Sequence, residues 1–126
     1  MPKQITVECA PQLAILLVQA LRGFVSTHYP QGADECSIAA RETLLDLAGR
    51  FEQELAVSGR CAYSSRVRAF LCEAVNSYTH GLERAQGGSW ANRRASLIAV
   101  SRGLSNGQDF ADAEARDRRA PVSGTG

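Results

Sequence analysis

The 126-residue chain has one lysine, one tryptophan and one methionine, with three tyrosines and four phenylalanines. With so few aromatics, the core must come from Leu, Val, Ile and Ala, which suits helices better than packed sheets. Long apolar runs are missing as well. The longest unbroken one, residues 13–18, falls far short of the roughly 20 residues of a membrane-spanning helix, so no membrane partner is expected. Lys3 is followed by Glu8 and a late apolar run that no A-x-A site closes, which argues against a secretory signal. The cysteines, Cys9, Cys36, Cys61 and Cys72, form no C-x-x-C pair, which excludes the usual zinc and redox spacings. Reduced thiols in the cytoplasm are the expectation.

Chemistry-bearing motifs are equally scarce. There is no G-x-S-x-G, no phosphate-binding loop and no dinucleotide fingerprint, and neither histidine stands beside a nucleophile. Cys61, Cys72 and His80 match no standard metal spacing. His80 and Glu83 invert the Glu-x-x-His order of di-metal bundles. The sequence therefore predicts a protein that is not an enzyme, with no catalytic residue, cofactor or metal. Cys36 falls in the first turn of a helix, where a thiolate is favoured. It reads either as a reactive thiol or as a small filler.

What the chain does have is a dense apolar segment at residues 11–25, P-Q-L-A-I-L-L-V-Q-A-L-R-G-F-V. Its eight large apolar side chains predict a helix apolar around most of its circumference, either central or shared with a partner. Pro11 suits the first helical position, and the helix runs to about His28. The Pro30 region stops it. A second helix is capped by Asp34 and runs to about Val57, with Ile38, Leu44, Leu45, Leu47, Ala48, Phe51 and Leu55 on its apolar face. Asp46 and Arg50 are spaced as an i,i+4 pair, and Ser58-Gly59 closes the helix.

A third helix, capped by Ser64 or Ser65, buries Val67, Phe70, Leu71, Ala74, Val75, Tyr78, Leu82 and Ala85 and ends at Gly87-Gly88. A fourth, capped by Ser89, carries Trp90, Leu97 and Leu104 at heptad spacing. A short fifth helix covers about residues 106–118, with Ser105 and Gln108 as a capping box. It has little to bury and should dock weakly. Residues 1–10 read as an extended arm, because a lone strand has no evident pairing partner. Residues 120–126 read as a disordered tail. The expected fold is all-α: a four-helix bundle over residues 11–119 with a short appended C-terminal helix.

Net charge is +1, so no global field selects a partner. The halves differ, however: residues 1–59 are acidic on balance, and residues 60–126 carry ten of the thirteen arginines. Arg60, Arg66 and Arg68 surround the start of the third helix with Ser64 and Ser65, where the dipole normally attracts acids. In an antiparallel bundle Arg102 lies at the same end. Together these residues would bind an anion or a carboxylate-rich partner; alternatively they point into solvent or pair with the acidic second helix. Arg84, Arg93 and Arg94 lie at the opposite end.

The favoured function is a small protein-binding module: an inhibitor, immunity, adaptor or regulatory protein. The alternative is a nucleic-acid-binding regulator using Arg66 and Arg68, with Arg116, Arg118 and Arg119 as a flexible arm. A helix-turn-helix can be read across residues 55–71, although its connection is longer than the usual tight turn. Self-association through Ile15 and Val18, on the flank of the first helix, would make a homodimer.

Overall fold

The computed structural model describes residues 3–29 and 34–119. Its elements are β1 (Gln4–Glu8), α1 (Pro11–His28), α2 (Glu35–Arg50), β2 (Arg60–Ser64), α3 (Arg68–Gln86), α4 (Ala91–Ser101) and α5 (Phe110–Arg119). A π-helical stretch, Phe51–Leu55, and one further α-turn, Ala56–Ser58, prolong α2. A 3-10 turn, Ser65–Val67, leads into α3. The mostly helical architecture is as expected. The expected break around residues 30–32 and the expected tail at 120–126 lie outside the described residues.

The N-terminal arm does have a pairing partner. β1 runs antiparallel to β2, with Val7 opposite Cys61 and Glu8 opposite Arg60. The segment that reads as a plain connection between two helices is the missing strand. It therefore cannot be the tight turn of a helix-turn-helix. Val7, Cys9, Cys61 and Tyr63 are buried beneath this ribbon, while Thr6, Glu8 and Arg60 face outward, the period-2 alternation of a half-buried sheet.

α1 is central, packing against both α2 and α3. Leu13, Leu17, Val18, Leu21, Phe24 and Val25 are buried and together contribute on the order of 10–15 kcal/mol of gross apolar burial. Asp34 caps α2 by accepting the Ser37 N–H at 2.9 Å. Leu44, Leu47, Ala48, Phe51 and Leu55 then face the core. Ile38 departs from the expected face and is 41% exposed, because the first turn of α2 lies ahead of the core layers. The expected Asp46–Arg50 pair gives way to an ion pair of Arg50 with Glu54 at 3.2 Å and a hydrogen bond from Arg50 to the Ala62 carbonyl. That carbonyl lies on the free edge of β2, so Arg50 covers backbone that would otherwise stand open.

Two expectations fail at the C-terminal end. The Trp90–Leu97–Leu104 spine breaks because α4 stops at Ser101 and Leu104 is 71% exposed. The stop is imposed by a close approach: a Cβ at Gly103 would sit 2.8 Å from the Thr6 carbonyl oxygen, and the residue has φ +72°. Only glycine allows the chain to pass β1 in this way. The Ser105–Gln108 capping box is also absent. Ser105 and Asn106 instead accept the N–H groups of Gly107 and Gln108 in a turn, and α5 begins later, at Phe110.

α5 is not weakly docked. The buried carboxylate of Asp117 accepts the backbone N–H groups of Asn92 (2.8 Å) and Arg93 (3.1 Å) and the Arg93 Nε at 2.8 Å. A side chain from the last helix thus serves the free N–H groups at the start of α4. Arg93 also stacks over Trp90, 3.8 Å from the ring centroid. Consequently Arg116, Arg118 and Arg119 belong to a helix and do not form a flexible arm.

Candidate docking surface

One of the sequence-selected arginines, Arg60, and two from the cluster expected at the opposite end, Arg93 and Arg94, are set aside by their local partners. Arg60 is exposed on the outer face of the ribbon and pairs across it with Glu8 at 2.8 Å. Arg93 is engaged by Asp117, and also by Glu114 at 3.8 Å. Arg94 binds Glu83 and donates its Nε to the buried Thr79 hydroxyl at 2.8 Å. Glu83 receives the Trp90 N–H at 2.8 Å and lies 3.1 Å from His80. The Trp90 N–H, followed by Arg94, holds its carboxyl below the usual glutamate range. This cluster ties α3 to the start of α4.

The serines have local work as well. Ser64 Oγ accepts the Arg66 N–H at 3.3 Å, and the Ser65 N–H donates to the Lys3 carbonyl at 2.8 Å. Ser64 therefore caps the 3-10 turn ahead of α3, whereas α3 itself starts after Val67 with no side-chain cap, so the expected serine cap of the third helix falls one turn early. Arg68 and Arg102 do converge, as expected of an antiparallel α3–α4 pair. Both act on the Tyr63 phenol, whose pKa burial pushes up to about 12. The neighbouring Cys72 adds to that rise, and the two guanidinium groups oppose it. The phenol donates to the Ser101 carbonyl at 2.5 Å. Arg60 takes no part in this convergence, since it lies at the far end of β2.

Arg66 stands elsewhere, on the rim of an apolar groove between α2 and the start of α3. Ala39, Ala40, Thr43 and Leu44 form one wall; Val67 and Phe70 form the other. Phe70 is 36% exposed and meets Tyr29 edge-on, with ring centroids 6.5 Å apart. Ile38, the residue before Ala39, is exposed as well but is not among the residues that line the groove. Among the described residues no carboxylate forms an ion pair with Arg66, Arg68 or Arg102. The groove thus combines apolar walls with a cation that has no acidic partner inside the described chain. Sequence reasoning selected Arg66, but it assigned Phe70 and Ile38 to the core.

The flank of α1 divides. Val18 is 5% exposed and belongs to the core; Ile15 is 57% exposed. Ile15 overhangs a second concavity of about 360 Å³, floored by Ala14 and Val18 and bounded by Pro11 and Ala56.

The four cysteines are free. Burial pushes the thiols of Cys9 and Cys61 up to about 11, whereas Cys36 is exposed. No group of three or more His, Cys, Asp or Glu side chains among the described residues is arranged to hold a metal ion. Among the described residues no helix is long and apolar enough to cross a membrane. No family model, no curated protein and no solved structure matches the chain.

Proposed function

We propose that this chain is a non-enzymatic helical docking module that binds a protein partner in the groove between α2 and α3, acting as an inhibitor, immunity, adaptor or regulatory protein. In this reading the four longer helices form a bundle-like scaffold, and the groove at one end is the recognition surface. One observation carries the proposal: the exposed edge of Phe70 lines the same groove as Arg66. Apolar walls favour burying an apolar side chain of a partner, and the arginine fork selects a carboxylate next to it. The fitting partner segment is therefore apolar and acidic. A cytoplasmic setting accompanies this reading, because the four cysteines are free, as is usual in a reducing compartment.

The test is selection from a random peptide library, run in parallel on the wild-type protein and on Arg66→Glu. The proposal expects wild type to enrich peptides that pair an acidic residue with apolar ones, and the variant to lose that acidic preference. Equal enrichment by both proteins, or none by wild type, would remove the groove as the binding surface. A gel-shift series with nucleic acid at rising salt serves the alternative reading. Binding that falls steeply with salt and disappears in Arg66→Glu/Arg68→Glu would favour a nucleic-acid regulator.

A further inference from the structure

Two glycines stand inside helices where neither backbone nor packing requires them. Gly23 in α1 and Gly81 in α3 are not among the glycines with positive φ. A Cβ at Gly23 would meet no neighbouring atom within 4 Å, and one at Gly81 only the Arg84 Nη2, at 4.0 Å. Neither glycine therefore serves a close helix contact, although glycine weakens a helix relative to alanine at both positions. What the two share is a cleft of about 290 Å³ between α1 and α3, which both of them line. Their missing side chains keep it open.

The cleft has apolar walls and one kind of charge. Phe24 is buried, and Tyr78 and Leu82 are half-buried against the core. The Tyr78 hydroxyl already donates to Gln19 at 2.6 Å, so Tyr78 offers its ring and not a free donor. Thr27 and Ser77 bring exposed hydroxyls. No acidic side chain lines the cleft, and its one charged residue is Arg84. Arg84 leans back along α3 to Gly81, and among the described residues no carboxylate forms an ion pair with it.

Apolar walls with a single unanswered cation select a ligand with an apolar body and one negative charge. A planar carboxylate matches the guanidinium fork, and the two hydroxyls can donate to it as well. The volume lies at the small end of ligand pockets, which limits the body to about one ring or a short chain. We propose that this cleft binds a small organic monocarboxylate, with its apolar body against Phe24, Tyr78 and Leu82 and its carboxylate on Arg84. The cleft shares no lining residue with the α2–α3 groove, so either can fail without the other.

The test is a titration of the full nitrogen-15-labelled chain with phenylacetate and with hexanoate, each matched by its uncharged amide, followed through the backbone amide shifts. The proposal expects saturable shifts with at least one acid, centred on Gly23, Thr27, Ser77 and Gly81, and binding of its amide at least about tenfold weaker. Arg84→Gln should weaken the acid about tenfold and leave the amide as it was. Gly23→Leu, which sets a side chain into the cleft, should abolish binding without lowering the melting temperature, because leucine favours a helix over glycine. That combination separates a ligand site from a structural role. The proposal is overturned if neither acid gives saturable shifts at these amides, or if acid and amide bind equally. Undiminished binding of the acid in Arg84→Gln or in Gly23→Leu would overturn it too.

Discussion

Asp117, in the last helix, accepts the Arg93 Nε at 2.8 Å and also takes two backbone N–H groups at the start of α4. Burial alone would raise its pKa, but the Arg93 side chain and the N–H groups of Asn92 and Arg93 outweigh burial and hold the carboxyl below its usual value. Replacing Asp117 by Ala leaves Arg93 partly buried without its main partner and the α4 N-terminus uncapped. The expected loss is about 3 kcal/mol, measured by urea denaturation. A loss within a few tenths of a kcal/mol would show that α5 contributes little.

The same group sets an acid limit. A lowered folded-state pKa means that the unfolded chain binds the proton more tightly. Its stabilisation is therefore complete above the ordinary aspartate value of about 3.9 and is lost as pH falls through the lower folded value. Between neutral pH and pH of about 2, the melting temperatures of wild type and Asp117→Asn should converge on the acid side of the usual aspartate titration. A constant gap across that range would contradict this assignment.

Gly107 has φ +81°, and a Cβ there would overlap Leu13 Cδ1 in the core end of α1. Gly107→Ala should cost on the order of 2 kcal/mol through backbone strain and overpacking together. Adding Leu13→Ala would relieve the clash but not the strain. Thermal unfolding of the single and double variants separates the two contributions. Additive losses would mean that the clash is absent.

Tyr63→Phe removes the hydroxyl that serves the buried Ser101 carbonyl. An unsatisfied buried carbonyl costs roughly 1–3 kcal/mol, and hydrogen exchange at the end of α4 should accelerate. Unchanged exchange there would place the bond outside the cooperative core.

The thiols provide a chemical readout of burial. Cys36 should react with a thiol reagent at once, and Cys9 and Cys61 only as fast as the chain opens, since burial both shields them and holds their pKa near 11. Simultaneous labelling of all three in native buffer would contradict the packing of the β1–β2 ribbon.

The helices were largely legible in the sequence because their signals are local. Pro11, Asp34 and the Gly87-Gly88 pair act within one turn, and the three-and-four spacing of Leu13, Leu17, Leu21 and Phe24 marks a buried face directly. The ribbon was not legible, because Gln4–Glu8 and Arg60–Ser64 are each five residues long and nothing local links residues 52 apart. Asp117 was missed for a related reason: a charged residue near a helix end reads as solvated unless the backbone it caps is known to be adjacent. At the candidate surface, residue type alone identified Arg66 but grouped it with Arg60, which Glu8 neutralises from across the ribbon. Phe70 and Ile38 sit at apolar helical positions. Their exposure depends on where the facing helix ends, which their own spacing does not record.

The most direct test of the docking function is fluorescence anisotropy of the best acidic, apolar peptide from selection, titrated with wild type, Arg66→Glu and Phe70→Asp. The account predicts saturable binding to wild type and a loss of at least about tenfold in each variant, each cutting one half of the recognition. It also predicts that a lysine-for-acid peptide recovers affinity for Arg66→Glu. Equal affinity of the peptide for all three proteins would contradict it.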